Sequence, residues 1–89
     1  MVKRLIISGR VQGVCYRYSM TREAETLGIT GWVRNRRDGS VEATVAGNDA
    51  AIEAIIAWAH TGPPSAEVAS VKVYDASGSF GCFEQWPTV

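Results

Sequence analysis

The chain contains few of the residues that build metal centres or disulfide-stabilised folds. Its 89 residues include two cysteines, Cys15 and Cys82, and one histidine, His60. Two cysteines cannot form the disulfide framework of a small secreted domain, and these three side chains have no metal-ligand spacing. We therefore expect neither a disulfide between the two cysteines nor a metal site.

Long apolar runs are also missing. No apolar stretch approaches the roughly 20 residues of a membrane span. The short run over residues 2–8 is interrupted by Gly9 and Arg10 before it reaches the length of the apolar region of a signal peptide. The chain is long enough for one hydrophobic core and no more. We expect a single domain over residues 1–89, located in the cytoplasm and without a membrane partner.

An excess of one charge is absent as well. Nine basic and nine acidic residues give a formal net charge of zero, which disfavours a general nucleic-acid binder. The distribution is uneven, because residues 1–37 contain most of the basic residues and residues 38–89 most of the acidic ones. Positive potential therefore either collects around the first half or is cancelled when folding mixes the halves, and the sequence leaves both possibilities open.

The hydrophobic pattern predicts alternating strands and helices. Strands are expected at 2–8, 29–36, 41–45 and 68–74, helices at 16–27 and 49–60, and a short fifth strand at 82–86. This β-α-β-β-α-β order is typical of the α+β ferredoxin-like sandwich, with two helices on one face of an antiparallel sheet. The crossover rule gives the strand order 4-1-3-2, and we place the fifth strand beside strand 2.

The third strand and the turn before it carry local signals. Asp38-Gly39 is typical of a two-residue hairpin turn of type I′, in which both residues have positive φ. After this turn, apolar and polar residues alternate over 41–45. That alternation predicts a strand with one buried face and one solvated face.

The connection between the first strand and the first helix predicts an anion site. Gly9 and Gly13 allow a tight turn that points several N–H groups at one spot, and the following helix adds the positive end of its dipole. Arg17, in the first helical turn, adds a fixed charge with forked donors. We expect this loop to bind phosphate.

Asn35 lies at the end of the second strand, just before the hairpin. Its uncharged amide can both donate and accept hydrogen bonds, so it can hold a water molecule in line for attack. The alternative is an asparagine that precedes a turn and bonds its own backbone. The physical chemistry of the residue favours this alternative.

Four motifs together resemble the acylphosphatase family: Gly-Arg-Val-Gln-Gly-Val-x-x-Arg at 9–17, Ala-x-x-Leu-Gly at 24–28, Gly-Trp-Val-Arg-Asn at 31–35 and Asp-Gly-x-Val-Glu at 38–42. The resemblance implies a ferredoxin-like enzyme that hydrolyses small-molecule acyl phosphates to carboxylate and inorganic phosphate without a metal or other cofactor. It matches the catalytic arginine of the family to Arg17 and the water-positioning asparagine to Asn35. Its phosphate-binding loop matches Arg10, Val11, Gln12, Gly13, Val14, Cys15 and Tyr16.

One departure from the family and two alternative functions bear on this hypothesis. Many family members have Gly-Phe at the positions of Cys15 and Tyr16, although the vertebrate branch is similar in having cysteine there. One alternative function is a non-catalytic phosphate-binding module. The other is an RNA-binding ferredoxin-like domain. The RNA-binding alternative lacks support because the usual sheet aromatics are missing. Since the chain starts with Met1 and ends soon after its last strand, we expect a stand-alone enzyme. We also expect a monomer, although nothing in the sequence determines the oligomeric state.

Overall fold

Five strands and two helices follow one another in the order that the sequence predicts. The computed structural model describes residues 1–89. Its elements are β1 (Val2–Arg10), α1 (Tyr16–Leu27), β2 (Thr30–Asn35), β3 (Val41–Ala46), α2 (Asp49–Thr61), β4 (Glu67–Asp75) and β5 (Phe83–Gln85). Neither helix combines the length and apolarity that a bilayer crossing requires.

The strands form one sheet in the order β4-β1-β3-β2-β5. The first four strands are antiparallel, and β5 lies beside β2 as predicted, but the β2–β5 pair is parallel. The reason is the short connection over residues 76–82, which can span at most about 25 Å when fully extended. Crossing the four strand spacings from β4 to β5 already takes about 19 Å. The chain therefore enters β5 at the end of the sheet where β4 stops, and the sheet is mixed.

One hydrophobic core of 17 buried residues fills the space between the sheet and the two helices. The strands contribute apolar side chains from alternate positions, and each helix contributes one apolar face. Large, fully buried side chains of this core include Leu5, Ile7, Val33, Val41 and Val45 from the sheet and Met20, Ile52 and Ile55 from the helices. This ferredoxin-like α+β sandwich confirms the predicted fold class.

The β2–β3 hairpin differs from the predicted turn. Gly39 has a positive φ of 94°, but Asp38 does not, so the type I′ prediction is wrong. The Gly39 N–H donates to the Arg36 carbonyl at 3.1 Å, and the Arg36 N–H donates to the Ser40 carbonyl at 2.9 Å. The Asp38 carboxylate accepts hydrogen bonds from the backbone and the hydroxyl of Ser40. These side-chain bonds hold Asp38 in a wider loop of three residues.

Strand β3 is buried on both faces, whereas its sequence pattern predicts one solvated face. Glu42 is only 5% exposed, because the side chains of Arg4 and Arg34 cover it from the neighbouring strands. Its carboxylate accepts hydrogen bonds from Arg4 Nε at 2.7 Å and from Arg34 Nε at 2.9 Å. Burial alone would raise the pKa of Glu42, but the two guanidinium groups outweigh burial and hold the pKa below its ordinary value.

This arrangement makes the stability contribution of Glu42 dependent on pH. Because the pKa is lower in the folded state, the carboxylate stabilises the fold above the unfolded pKa of about 4.3 and loses this effect as the pH falls. We expect Glu42→Gln to lower the free energy of unfolding by about 1–2 kcal/mol at pH 7. Urea unfolding at pH 7 and pH 3 measures this difference, which should shrink at pH 3. Glu53→Gln, on the exposed side of α2, is the matched control and should change little at either pH.

Candidate active site

The loop between β1 and α1 is shaped by three residues with positive φ. The β1–β4 register shifts at Gly9, where φ is 117° and an added Cβ would lie 2.3 Å from the Glu67 carbonyl oxygen. Gly13 follows with a φ of 73°. Cys15 has a φ of 64° and is the only non-glycine residue of the protein with a positive φ. The chain therefore turns sharply enough to gather the backbone of residues 11–15 at the start of α1.

The backbone N–H groups of this loop have no acceptor in the protein. Those of residues 12–15 donate no hydrogen bond to backbone or side-chain atoms. Helix α1 begins without a side-chain cap and without an acidic residue in its first turn. By contrast, Asn48 caps α2 by accepting a hydrogen bond from the Ala51 N–H at 2.8 Å. Free N–H groups at a helix N-terminus are suited to an anion.

A cleft of about 130 Å³ brings this loop together with Arg17, Asn35 and Gln85. Arg17 is half-buried in the first turn of α1. No carboxylate lies within salt-bridge distance of its guanidinium, in contrast to Arg4 and Arg34. Its charge is therefore available to an anionic ligand in the cleft.

Asn35 lines the same cleft and carries an unpaired acceptor. Its side-chain oxygen Oδ1 is buried and has no hydrogen-bond partner within the protein. The alternative from the sequence, an amide bonded to its own backbone, is therefore not what the structure contains. An unpartnered buried acceptor costs about 1–3 kcal/mol, so a strong donor from a ligand or water is expected at this point.

The backbone of Asn35 lies between two neighbouring segments. It pairs with Val41 in the β2–β3 ladder. On the other side, the Val89 N–H donates to the Asn35 carbonyl at 3.1 Å, and the Val89 carbonyl accepts from the Arg37 N–H at 2.8 Å. The sequence does not predict this contact, because residues 87–89 carry no strand pattern. The C-terminal segment thus fixes the strand end that presents Asn35.

Gln12 joins the loop to the hairpin instead of pointing into the cleft. Its side-chain Nε2 donates to the Arg36 carbonyl at 2.7 Å and to the Ser40 carbonyl at 2.8 Å. Both acceptors lie in the turn that follows Asn35. The side chain of Gln12 therefore sets the distance between the free N–H groups of the loop and the Asn35 amide.

The other predicted loop residues divide between core and surface. Val11 and Val14 are buried core residues. The Tyr16 hydroxyl donates to the Ala59 carbonyl at 2.7 Å, and burial raises the pKa of this phenol. Cys15 is exposed with a free thiol, and Arg10 lies at the exposed end of β1. Tyr16 contributes its backbone to the loop, while its side chain packs between the helices.

The opposite face of the sheet has a different character. It carries a groove of about 580 Å³ whose lining includes Arg4, Arg36 and Lys72 but no atom of Asn35 or Arg17. Glu42 places a buried carboxylate on this face of the central strand β3. The aromatic pair Trp32–Trp86 stacks at 4.4 Å between centroids near the β2–β5 edge. The central strands therefore present no aromatic platform of the kind that binds single-stranded RNA.

Free amides, an unpaired arginine and a buried carboxamide oxygen belong to one cleft of a ferredoxin-like sandwich. This combination defines a small phosphate-handling protein. The family model described as acylphosphatase matches residues 3–84 of the chain. An acylphosphatase of Thiobacillus denitrificans is 57% identical over 81 residues, which cover 91% of each chain. That of Azoarcus sp. is 56% identical over 85 residues, covering 94% of this chain and 87% of the relative.

Solved structures agree with the sequence relatives. The crystal structure of acylphosphatase from Bacillus subtilis superposes with a TM-score of 0.90 at 32% identity, covering 97% of this chain and 99% of that one. The chain belongs to the acylphosphatase family, as the four sequence motifs predict. It is a hydrolase that cleaves the carboxyl–phosphate bond of small-molecule acyl phosphates and releases inorganic phosphate.

Proposed function

We propose that Arg17 and the free N–H groups of residues 12–15 hold the phosphoryl group of the substrate, and that Asn35 orients the attacking water. The observation that carries this proposal is the buried, unpartnered Asn35 Oδ1 in the same cleft as Arg17. A site that only bound phosphate would need donors alone. An acceptor buried beside those donors suits a water molecule, which must donate in order to be held.

The phosphoryl group brings negative charge on its equatorial oxygens. The N–H groups of residues 12–15 and the dipole of α1 point positive charge at these oxygens, and the Arg17 guanidinium binds two of them at once. Charge on these oxygens is what a phosphoryl-transfer site must stabilise in the transition state. The loop and Arg17 therefore serve both binding and catalysis.

The attacking water donates one hydrogen bond to Asn35 Oδ1, which directs a lone pair of its oxygen at phosphorus. The new O–P bond forms while the bond between phosphorus and the acyl oxygen breaks. The electron pair of that bond leaves with the carboxylate, and the proton of the water passes to a phosphate oxygen. Because a carboxylate is a good leaving group, the step requires no strong general base.

We also propose that hydrolysis needs no metal ion. The protein has no group of three or more His, Cys, Asp or Glu side chains placed to hold one. Arg17 and the loop amides supply the positive charge that Mg²⁺ supplies in many other phosphoryl transfers.

Hydrolysis of an aromatic acyl phosphate in the presence of a metal chelator tests both proposals. We expect full turnover with the chelator, measured as release of the carboxylate, and competitive inhibition by inorganic phosphate. Activity that disappears with the chelator and returns with added Mg²⁺ would contradict the metal-independent mechanism. Phosphate binding without any release of carboxylate would identify a binding module instead.

We propose that this small cleft acts on small molecules and needs no protein or nucleic-acid partner. The loop, Arg17 and Asn35 supply every protein group that the proposed step uses, so no second copy is required, and we propose that the protein works as a monomeric single domain in the cytoplasm. The net charge of zero and the buried Glu42 on the open sheet face favour small acyl phosphates and no nucleic-acid partner. Light scattering of the purified protein, with and without substrate, measures the oligomeric state.

A further inference from the structure

Gln85 lies in the cleft, and the mechanism above does not use it. Its side chain lines the cleft together with Arg17 and Asn35. The residue is exposed, and its amide has no hydrogen-bond partner within the protein. The Gln85 amide can both donate and accept, and it is therefore unpartnered in the same cleft as the unpartnered oxygen of Asn35.

The pairing of β5 with β2 places Gln85 and Asn35 on the same face of the sheet. Val33 pairs with Gln85 in the parallel β2–β5 ladder. Val33 and Phe83 are buried under the helices, and side chains two positions further along a strand face the same way. Asn35 and Gln85 are thus diagonal neighbours, offset by one strand spacing and two residues, which corresponds to a separation of about 8 Å. Two amides at this separation leave room for one water molecule between them.

The backbone around Gln85 is held in place by β2. The Gly31 N–H donates to the Cys82 carbonyl at 3.0 Å, and the Trp86 N–H donates to the Val33 carbonyl at 2.9 Å. These bonds anchor β5 on both sides of Gln85. Only the side-chain torsions of Gln85 need to be ordered when its amide forms a hydrogen bond in the cleft.

We propose that Gln85 donates a hydrogen bond to the attacking water, as a second water-positioning residue beside Asn35. The inference rests on the proposed function. A water molecule has two O–H groups and two lone pairs. One O–H donates to Asn35 Oδ1 and the other to a phosphoryl oxygen, which later takes the proton. One lone pair forms the bond to phosphorus, and the other accepts from the Gln85 N–H. Each O–H group and each lone pair of the water then has a different partner.

Gln85→Met tests this role, because methionine has a similar length but cannot donate. Losing one neutral hydrogen bond to the nucleophile should lower kcat about three- to tenfold. KM and inhibition by inorganic phosphate should stay within twofold, because the phosphoryl cradle is unchanged. The loss in kcat should be equal for acetyl phosphate and for an aromatic acyl phosphate. Gln85→Ala, which should behave like Gln85→Met, replaces it if the methionine variant is unstable.

A double-mutant cycle with Asn35 separates water positioning from a structural effect. If both amides hold the same water, Gln85→Met should have almost no further effect on kcat in the Asn35→Ala background. Glu84→Gln, the neighbouring residue on the opposite face of β5, is the matched control and should leave kcat unchanged.

Three results would each overturn the inference: an unchanged kcat for Gln85→Met, a loss that multiplies fully with that of Asn35→Ala, or a KM change confined to one acyl group. The last result would make Gln85 an acyl contact. None of these results would contradict the roles of Arg17 and Asn35. Those roles fail only if Asn35→Ala or Arg17→Ala itself turns over normally.

Discussion

Arg17→Ala should lower kcat/KM for acyl phosphates by a factor on the order of 10³ or more, the range found for arginines that stabilise phosphoryl-transfer transition states. The half-buried guanidinium has no carboxylate partner, so its charge is free to pair with an anionic ligand. Inhibition by inorganic phosphate should also disappear, because the same group binds the ground state. Steady-state kinetics and phosphate inhibition measure the two effects together.

Two further variants make this result specific. Arg17→Lys keeps the charge but loses the forked donors, so it should fall between the wild type and Arg17→Ala. Lys72→Ala removes one positive charge from the opposite face of the sheet, outside the cleft. Its kcat/KM should stay within about twofold of the wild type, since a remote exposed charge is screened by salt. An equal loss in Lys72→Ala would mean that overall charge, not Arg17, drives binding.

Asn35→Ala should retain phosphate binding and lose turnover, with kcat reduced about 10²–10³-fold and the inhibition constant for phosphate nearly unchanged. The free energy of unfolding should not fall, because the substitution removes a buried acceptor that has no partner in the protein. A loss of activity without a loss of stability is the expected signature of a residue that acts on water. Kinetics and urea unfolding on the same preparation measure both quantities.

Asn48→Ala is the matched control for Asn35→Ala. It removes the amide that caps α2 and should cost about 1 kcal/mol of stability while leaving kcat unchanged. The two asparagines should therefore show opposite patterns of stability and activity. If Asn35→Ala hydrolyses acyl phosphates at the normal rate, the water-positioning role is wrong.

Much of the fold was predictable because local physics and tertiary packing agree. The apolar face of α1 and the glycine that ends it predict Tyr16–Leu27, which is what the structure contains, with Gly28 left-handed at a φ of 72°. Asn48 caps α2 with its side chain, and asparagine is among the residue types that favour this position. These signals lie within a few residues of one another, so the sequence displays them directly.

Two of the three errors came from contacts between distant segments, and the third, in the hairpin turn, came from a local side-chain contact. Glu42 has the polar pattern of a solvated strand face, and only the arrival of Arg4 and Arg34 from neighbouring strands buries it. The bonds from the Asp38 side chain to Ser40 selected a wider turn than the Asp-Gly pair predicts. The direction of β5 depended on the length of residues 76–82 and the width of the sheet they cross.

The candidate site divides in the same way. The glycines of the loop, the helix start and Arg17 are neighbours in sequence, so their joint chemistry was predictable as an anion site. The positive φ of Cys15 was not predictable from its residue type, although glycine at this position in many family members is consistent with it. That Asn35 lines the cleft and has a buried, unpartnered oxygen is a property of the folded sheet.

By itself, then, the sequence determined the order of elements, the glycine-containing loop before α1 and the acylphosphatase motifs, because each is encoded by residues close together in the chain. Only the tertiary structure decided that Asn35 Oδ1 is buried without a partner, that Gln12 ties the loop to the hairpin, and that Gln85 stands beside Asn35. These facts depend on which strands become neighbours and which side chains the packing leaves unsatisfied. Such outcomes are settled by contacts across the whole chain, and no local pattern contains them.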